Sequence, residues 1–178
     1  AEGEISHEDY WPLLPLRTRI FTHIMPLSFP KIESRKDLYA DITFHGKSVR
    51  VFNLHLILMH PGLRLKEFET AMTERDAARP TIVCGDFNIL EAPHITILNW
   101  LLGGHVRDAA LYNRERMVIE KRFVEHELVN PLRNAITHPI SRSQLDHILV
   151  SHTFSIKNAS VFPDSIGSDH HPIRVEVA

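Results

Sequence analysis

Four short segments of the chain carry carboxylate, histidine and asparagine side chains at the ends of apolar runs. They are 53–56 (NLHL), 85–88 (GDFN), 143–151 (SQLDHILVS) and 167–172 (GSDHHP). Side chains of these types can activate a water molecule, hold phosphate oxygens and stabilise the negative charge that develops when a phosphate ester is hydrolysed. Because rigid strands aim residues from distant parts of a sequence into one crevice, we expect the four segments to meet at one site.

Asp86 is the candidate general base of this site. It follows a buried strand pattern, and Gly85 allows a turn that would expose its carboxylate beyond the strand. Asn88 lies two residues further on, where it can hold the attacking water or a phosphate oxygen. The alternative is an Asx-turn in which Asp86 only ends the strand. If residues 86–88 stood alone, that interpretation would be preferred. The presence of the other three segments favours the interpretation of Asp86 as a catalytic base.

His170 is the candidate for polarising the phosphate, and Asp146 is the carboxylate that would orient its ring. A carboxylate in this position raises the pKa of an imidazole, so that the cation faces the developing negative charge. His55 on its own would be interpreted as a core histidine. His147, inside a strand pattern, and His171 are interpreted as mainly structural.

Together and in this order, the four segments resemble the endonuclease/exonuclease/phosphatase superfamily, which includes DNase I-like nucleases, abasic-site endonucleases, inositol polyphosphate 5-phosphatases and neutral sphingomyelinases. The resemblance begins near residue 35 and runs to the C-terminus. It implies an α/β fold, a four-layer sandwich of two mixed β-sheets flanked by helices. It also implies hydrolysis of a phosphate ester with Mg²⁺ or Mn²⁺, with Asp169, Asp86 and Asn88 at the metal and His55 against the scissile phosphate.

The N-terminal part departs from the family pattern. Family members begin with a strand that carries an Asn and a second strand that ends in Gln-Glu, whose glutamate is the principal metal ligand. Neither segment is visible here, and Glu2, Glu4 and Glu8 do not match the motif. We therefore expect a single domain over residues 1–178 that lacks the usual first strands and holds its metal weakly.

Composition and charge exclude several classes of protein. The chain has 178 residues with a formal net charge of −2, which argues against binding to nucleic acid by bulk electrostatics. Cys84 is the single cysteine and excludes an intramolecular disulfide. No apolar run is long enough to span a membrane and no signal peptide is visible, so we expect a cytoplasmic protein.

The hydrophobic pattern predicts the elements that position the candidate residues. It predicts a β-hairpin over 39–44 and 49–58, an amphipathic helix around Leu65, Phe68 and Met72, and a buried strand over 81–84. A helix over 95–102 and strands over 145–150 and 173–177 follow. Residues 1–36 are predicted to be irregular apart from a short strand at 19–25. For residues 105–143 the pattern allows either a helix or a long surface insertion.

Three alternatives concern other residues. A zinc site formed by His170 and His171 with Asp169 and nearby histidines lacks any recognised ligand spacing. Trp100 and Phe123 are possible base-stacking residues, although Trp100 fits the core better. Six basic residues are interpreted as a mixed-charge surface rather than a phosphate groove: Arg114, Arg116, Lys121, Arg122, Arg133 and Arg142.

Two functions compete at this level. The first is metal-dependent hydrolysis of a phosphate ester, with DNA, RNA or a small phosphodiester as substrate. The second is a phosphate-binding module without catalysis that lost its metal together with the N-terminal strands. Retention of Asp86, which a binding module does not need as a base, favours the enzyme.

Overall fold

The computed structural model describes residues 2–11, 14–22, 38–44, 46–58, 60–90, 106–165 and 167–178, with only the backbone described for 2–22 and 106–113. The elements in chain order are β1 (Glu2–Trp11), β2 (Leu14–Thr22), β3 (Leu38–Phe44), β4 (Lys47–His55), α1 (Pro61–Thr73), β5 (Thr81–Asp86), α2 (Val106–Glu125), β6 (Leu128–Val129), β7 (Asp146–Ser151), β8 (Ile156–Val161) and β9 (Ile173–Val177).

A mixed sheet with the strand order β3-β4-β5-β7-β6 is the centre of the described structure. Strands β3 and β4 form an antiparallel hairpin whose turn includes Gly46 at φ 75°. Helix α1 then crosses over, so that β5 pairs parallel with β4, and β7 returns antiparallel to β5. This order is that of an α/β domain, and it brings the ends of β4 and β5 to the same edge of the sheet as the start of β7.

Two antiparallel strand pairs accompany this sheet. Strands β1 and β2 pair with each other, and β8 pairs with β9. In the part of the chain that the structure describes, no helix is both long and apolar enough to cross a membrane.

The hydrophobic core lies between the central sheet and the two described helices. Phe68 from α1 packs edge-on against Phe123 from α2, with ring centroids 5.3 Å apart, and both contact Phe87. Arg64 and Glu115 join the two helices by a buried bidentate ion pair with N···O distances of 2.6 and 2.8 Å. Phe123 is therefore a core residue, and the base-stacking alternative for it is wrong.

The structure confirms most of the predicted elements. The hairpin, the amphipathic helix and the strands at 81, 145 and 173 are present, and the open segment at 105–143 contains the 20-residue helix α2. The predicted helix over 95–102 and Trp100 lie outside the described residues. The irregular N-terminal segment was a wrong prediction, since 2–22 contains the β1–β2 pair. Pro15 did not break it because it stands near the start of β2, where strands tolerate proline.

Gly85 has a different role from the predicted turn. It lies inside β5, which continues to Asp86, and its φ of 135° is a conformation that other residues rarely adopt. A Cβ at this position would lie 1.9 Å from the Leu54 carbonyl oxygen of the neighbouring strand. The glycine thus permits close approach of β4 and β5 next to the candidate base.

We expect Gly85→Ala to lower the free energy of unfolding by about 3 kcal/mol, because strained φ and a backbone clash add together. Urea unfolding followed by circular dichroism measures this loss. Gly62→Ala in α1 is the matched control, since nothing lies within 4 Å of a Cβ there and alanine favours a helix. Equal stability of the two variants would contradict the close-approach argument.

Candidate active site

Strand register places three of the predicted residues side by side at one edge of the sheet. His55 at the end of β4 is paired with Asp86 at the end of β5, and Asp86 is paired with Asp146 at the start of β7. The ladder continues one step further, where the Leu56 N–H donates to the Asp86 carbonyl oxygen at 3.0 Å. Residues from three distant segments therefore form one row because of the strand order alone.

Asp86 uses its two carboxylate oxygens differently. Oδ1 accepts a hydrogen bond from the Asn88 N–H at 2.9 Å, while Oδ2 lies 3.8 Å from His55 Nε2. The Asx-turn considered as an alternative is thus present, and it occupies only one oxygen. Asn88 adopts a left-handed φ of 54°, which asparagine tolerates well, and its amide nitrogen donates to the Leu56 carbonyl. The turn fixes Asp86 Oδ2 toward the histidine.

His170 and Asp146 form the pair that the sequence predicted. His170 Nδ1 donates to Asp146 Oδ2 at 2.7 Å. This hydrogen bond is the main reason that the pKa of His170 rises to about 9, and the charges of Asp146, Asp86 and Asp169 add to the effect. The imidazole is consequently a cation at neutral pH, with Nε2 as its remaining nitrogen.

Thr137 connects the segment that carries Asp146 with the loop that carries His170. Sequence reasoning missed this role. Its buried hydroxyl oxygen accepts hydrogen bonds from the backbone N–H groups of Leu145 and Asp146, at 3.0 and 2.9 Å. Its carbonyl oxygen accepts one from the His171 N–H at 2.7 Å. Thr137 thereby holds the start of β7 against the loop that carries His170.

His138 is the second residue that sequence reasoning missed. Its ring centroid lies 4.9 Å from that of His170, and its Nε2 lies 3.8 Å from Asp169 Oδ2. Burial and the nearby charge of His170 lower the pKa of His138, which favours its neutral form.

A cavity of about 370 Å³ opens at this edge of the sheet. Asp86, Asp146 and His170 line it together with Ser165 and Ser168 from the loop before β9. The space can accommodate a phosphate group with part of its substituent, in direct reach of the carboxylates and the cationic imidazole.

His147 and His171 have structural contacts, as predicted. His147 is fully buried and stacks on Phe87, and burial together with the nearby Arg116 lowers its pKa to about 3. Arg116 also donates to the Gln144 carbonyl at 2.8 Å, which ties α2 to the segment before Asp146. His171 Nδ1 lies 2.9 Å from Ser165 Oγ.

Several of the basic residues are engaged with protein groups, which agrees with their interpretation as a mixed-charge surface. Lys121 and Arg122 pair with Glu125, Arg133 pairs with Glu120, and Arg116 contacts His147.

The carboxylates at this edge are of a type that binds divalent cations, although among the described residues the three donor groups close enough to share one ion are His138, Asp169 and His170, without Asp86. The pKa of Asp86 is raised, first by burial and then by the negative charge of Asp146, so a positive charge nearby would relieve both penalties. Asp169 is 67% exposed and offers a second carboxylate next to His170. Carboxylate oxygens with open positions for water suit Mg²⁺ and Mn²⁺.

Solved structures with this fold include proteins of different activities. An endonuclease/exonuclease/phosphatase family protein from Leptotrichia buccalis is 14% identical with a TM-score of 0.68, over 99% of this chain and 70% of that chain. An AP endonuclease from Archaeoglobus fulgidus is 17% identical with a TM-score of 0.56, over 86% and 72%. A mannosyl-6-phosphatase from Bacteroides thetaiotaomicron is 22% identical with a TM-score of 0.51, over 80% and 56%.

These likenesses show a common fold, an α/β architecture with mixed sheets of the DNase I type, and the chain spans 56% to 72% of the length of the three structures. No curated protein sequence matches the chain. The sequence profile of the Endonuclease/Exonuclease/phosphatase family matches residues 34–170, which include three of the four predicted segments in full and residues 167–170 of the fourth. The chain therefore belongs to the endonuclease/exonuclease/phosphatase family, whose members are generally metal-dependent phosphoesterases.

Proposed function

We propose that this protein hydrolyses a phosphodiester by means of an activated water molecule. The observation that carries the proposal is the His170–Asp146 pair at 2.7 Å, which sets a cationic imidazole in the same cavity as the carboxylate of Asp86. A base and a fixed positive charge on one cavity wall are the two elements that attack on a phosphate by water requires.

Each side chain has a separate task in the proposed reaction. Asp86 Oδ2 accepts the proton of the attacking water, while Oδ1 stays bound to the Asn88 N–H. As the water oxygen bonds to phosphorus, the P–O bond to the leaving alcohol breaks, and the leaving oxygen takes a proton from solvent. His170 Nε2 donates a hydrogen bond to a phosphate oxygen and stabilises the charge that develops on it. His55 and Asn88, on either side of Asp86, contact the remaining phosphate oxygens.

A divalent ion completes the proposed site. Asp86, Asn88 and Asp169 are the residues that would hold Mg²⁺ or Mn²⁺, which when bound neutralises phosphate charge and lowers the pKa of a bound water. The exposed Asp169 and the few fixed donors support weak binding of this ion.

A diester is favoured over a monoester by the charges around the cavity. Asp86, Asp146 and Asp169 all lie close enough to His170 to raise its pKa, so three carboxylates surround this imidazole. A singly charged diester meets less repulsion there than a doubly charged monoester. DNA, RNA and small phosphodiesters all satisfy this requirement.

We also infer that this domain has the four-layer sandwich typical of the family. The match to the Leptotrichia structure over 99% of this chain supports this inference.

The test is hydrolysis of bis(4-nitrophenyl) phosphate and 4-nitrophenyl phosphate by the full chain with Mg²⁺, with Mn²⁺ and with EDTA. We expect metal-dependent release of nitrophenol, faster from the diester. No turnover by a folded chain, together with metal-independent binding of phosphate in calorimetry, would instead identify a phosphate-binding module.

Asp146→Asn tests the charge on His170. The hydrogen bond to Asp146 keeps His170 protonated up to a pH of about 9, so activity should fall as the pH rises through that value. In the variant the pKa should return toward about 6.5, which lowers kcat/KM at pH 8 by on the order of 30-fold relative to the parent. A pH–rate profile and an NMR titration of the imidazole measure this shift. An alkaline limb that stays near pH 9 in the variant would contradict the assignment.

A further inference from the structure

We infer that His138, Asp169 and His170 form a second metal site, one that takes a transition metal such as Zn²⁺ and blocks the catalytic histidine when occupied. The donor atoms of the three side chains lie within 4.8 Å of one another. Two imidazoles and one carboxylate are a donor set that suits Zn²⁺, whereas Mg²⁺ prefers oxygen ligands alone. The set shares Asp169 with the proposed Mg²⁺ site and differs from it by its two imidazoles.

Both imidazoles are oriented by hydrogen bonds at Nδ1, as metal-binding histidines usually are. His170 Nδ1 is bound to Asp146 Oδ2, which leaves Nε2 for a metal. His138 Nδ1 lies 2.7 Å from Ser141 Oγ, and its Nε2 faces Asp169. The Ser141 N–H, 3.2 Å from Nδ1, suits the metal-free tautomer with the proton on Nε2. With a metal on Nε2, the ring proton would lie on Nδ1, which would then donate a hydrogen bond to Ser141 Oγ.

Small movements are enough to close the site. Ligands of a tetrahedral Zn²⁺ stand roughly 3.4 Å apart, and His138 Nε2 is already 3.8 Å from Asp169 Oδ2. Asp169 is 67% exposed and lies in the loop between β8 and β9, so its carboxylate can turn toward the two rings. Water or a phosphate oxygen would take the fourth position.

Ligand spacing in the sequence could not reveal this site. The zinc alternative considered there combined His170 and His171 with Asp169 and unspecified nearby histidines, but the ring of His171 contacts Ser165 instead. The backbone bond from the His171 N–H to the Thr137 carbonyl brings the neighbouring His138 to this loop. A contact between distant segments thus supplies the second imidazole.

Occupation of this site has a consequence for activity, which rests on the proposed function. The proton that the cationic ring carries on His170 Nε2 is released to solvent when Zn²⁺ takes the lone pair of that nitrogen. Metal-bound His170 can no longer offer that hydrogen to a phosphate oxygen. Zn²⁺ should therefore inhibit hydrolysis that Mg²⁺ supports.

The test is a calorimetric titration of the full chain with Zn²⁺, without substrate, for the parent, His138→Ala and His152→Ala. His152 is an exposed histidine whose ring faces the Glu127 carbonyl, away from this cluster, and serves as the control. We expect the loss of one tight Zn²⁺ equivalent, or affinity weakened by about tenfold or more, in His138→Ala only. Co²⁺ should show the absorption bands of a tetrahedral site in the parent and the control.

Equal Zn²⁺ binding by the parent and His138→Ala would overturn the inference. Asp169→Asn, at an exposed side chain, provides the same comparison if His138→Ala does not fold, and should also weaken Zn²⁺ binding. Because the titration contains no substrate, its outcome stands apart from the proposed function. A chain that binds Zn²⁺ as expected but never hydrolyses a phosphodiester would refute only the latter.

Discussion

Replacing His170 with alanine is expected to lower kcat/KM for a phosphodiester by on the order of 10²–10⁴-fold. The substitution removes the one cation that the Asp146 carboxylate holds in the cavity at neutral pH. It also leaves two carboxylates, Asp86 and Asp146, facing an incoming phosphate without compensation. Initial rates over a range of substrate concentrations measure the loss, and circular dichroism confirms that the variant is folded.

The control for this variant is His152→Ala, which removes an exposed imidazole from the turn after β7 and should retain full activity. His170→Gln separates charge from structure. Its amide can still donate to Asp146, so a purely structural role would be restored, whereas a role that depends on positive charge would not. Activity of His170→Ala within tenfold of the parent would refute the assignment.

The candidate site was predictable to the extent that it depends on strand ends. Each motif stands where an apolar run stops, and pairing of β4, β5 and β7 then forces His55, Asp86 and Asp146 into one row. The sequence pattern contains the strand ends and the parallel pairing of β4 with β5, since hydrophobic runs mark strands and a helix between two of them indicates a parallel pair. The antiparallel pairing of β7 with β5 is known only from the structure. The contact between His170 and Asp146 followed from the chemistry of the two groups.

Residues that act through contacts between distant segments were not predictable. Thr137 holds β7 to the loop of His170 through backbone groups, and nothing in its local sequence indicates this. His138 reaches the site because it follows Thr137 in the chain. Gly85 was noticed, but the reason for it, the 1.9 Å approach of a Cβ to Leu54, exists only once the strands are paired. Local sequence patterns predict helices and strands, whereas the roles of Thr137, His138 and Gly85 depend on contacts between distant segments.

Asp86→Asn is expected to remove activity to a similar extent, on the order of 10²–10⁴-fold, without loss of stability. The amide oxygen of asparagine can still accept the Asn88 N–H, so the turn after β5 should persist. What disappears is the proton acceptor and the negative charge that a divalent ion would neutralise. The variant should therefore also lose the rise in Tm that Mg²⁺ or Mn²⁺ gives the parent.

In EDTA, the substitution Asp86→Asn should not lower the stability of the folded chain. Burial and the charge of Asp146 raise the pKa of Asp86 in the folded chain, so the folded state binds this proton more tightly than the unfolded state. Folding then loses stability as the pH rises and the carboxyl ionises, and at pH 7 the charged group is a cost that asparagine does not carry. We expect the Tm of Asp86→Asn without metal to equal or exceed that of the parent.

Asp76→Asn is the matched control for this variant, because Asp76 Oδ1 likewise accepts a hydrogen bond from the backbone N–H two residues on, that of Ala78 at 3.0 Å. Its carboxylate is half exposed in the turn after α1. Asp76→Asn should retain both activity and the response of Tm to metal. A lowered Tm of Asp86→Asn in EDTA with unchanged activity would mean that Asp86 only ends its strand, as the Asx-turn alternative holds. An inactive Asp86→Asn variant with a retained or raised Tm is expected only if the buried charge of Asp86 serves catalysis and not stability.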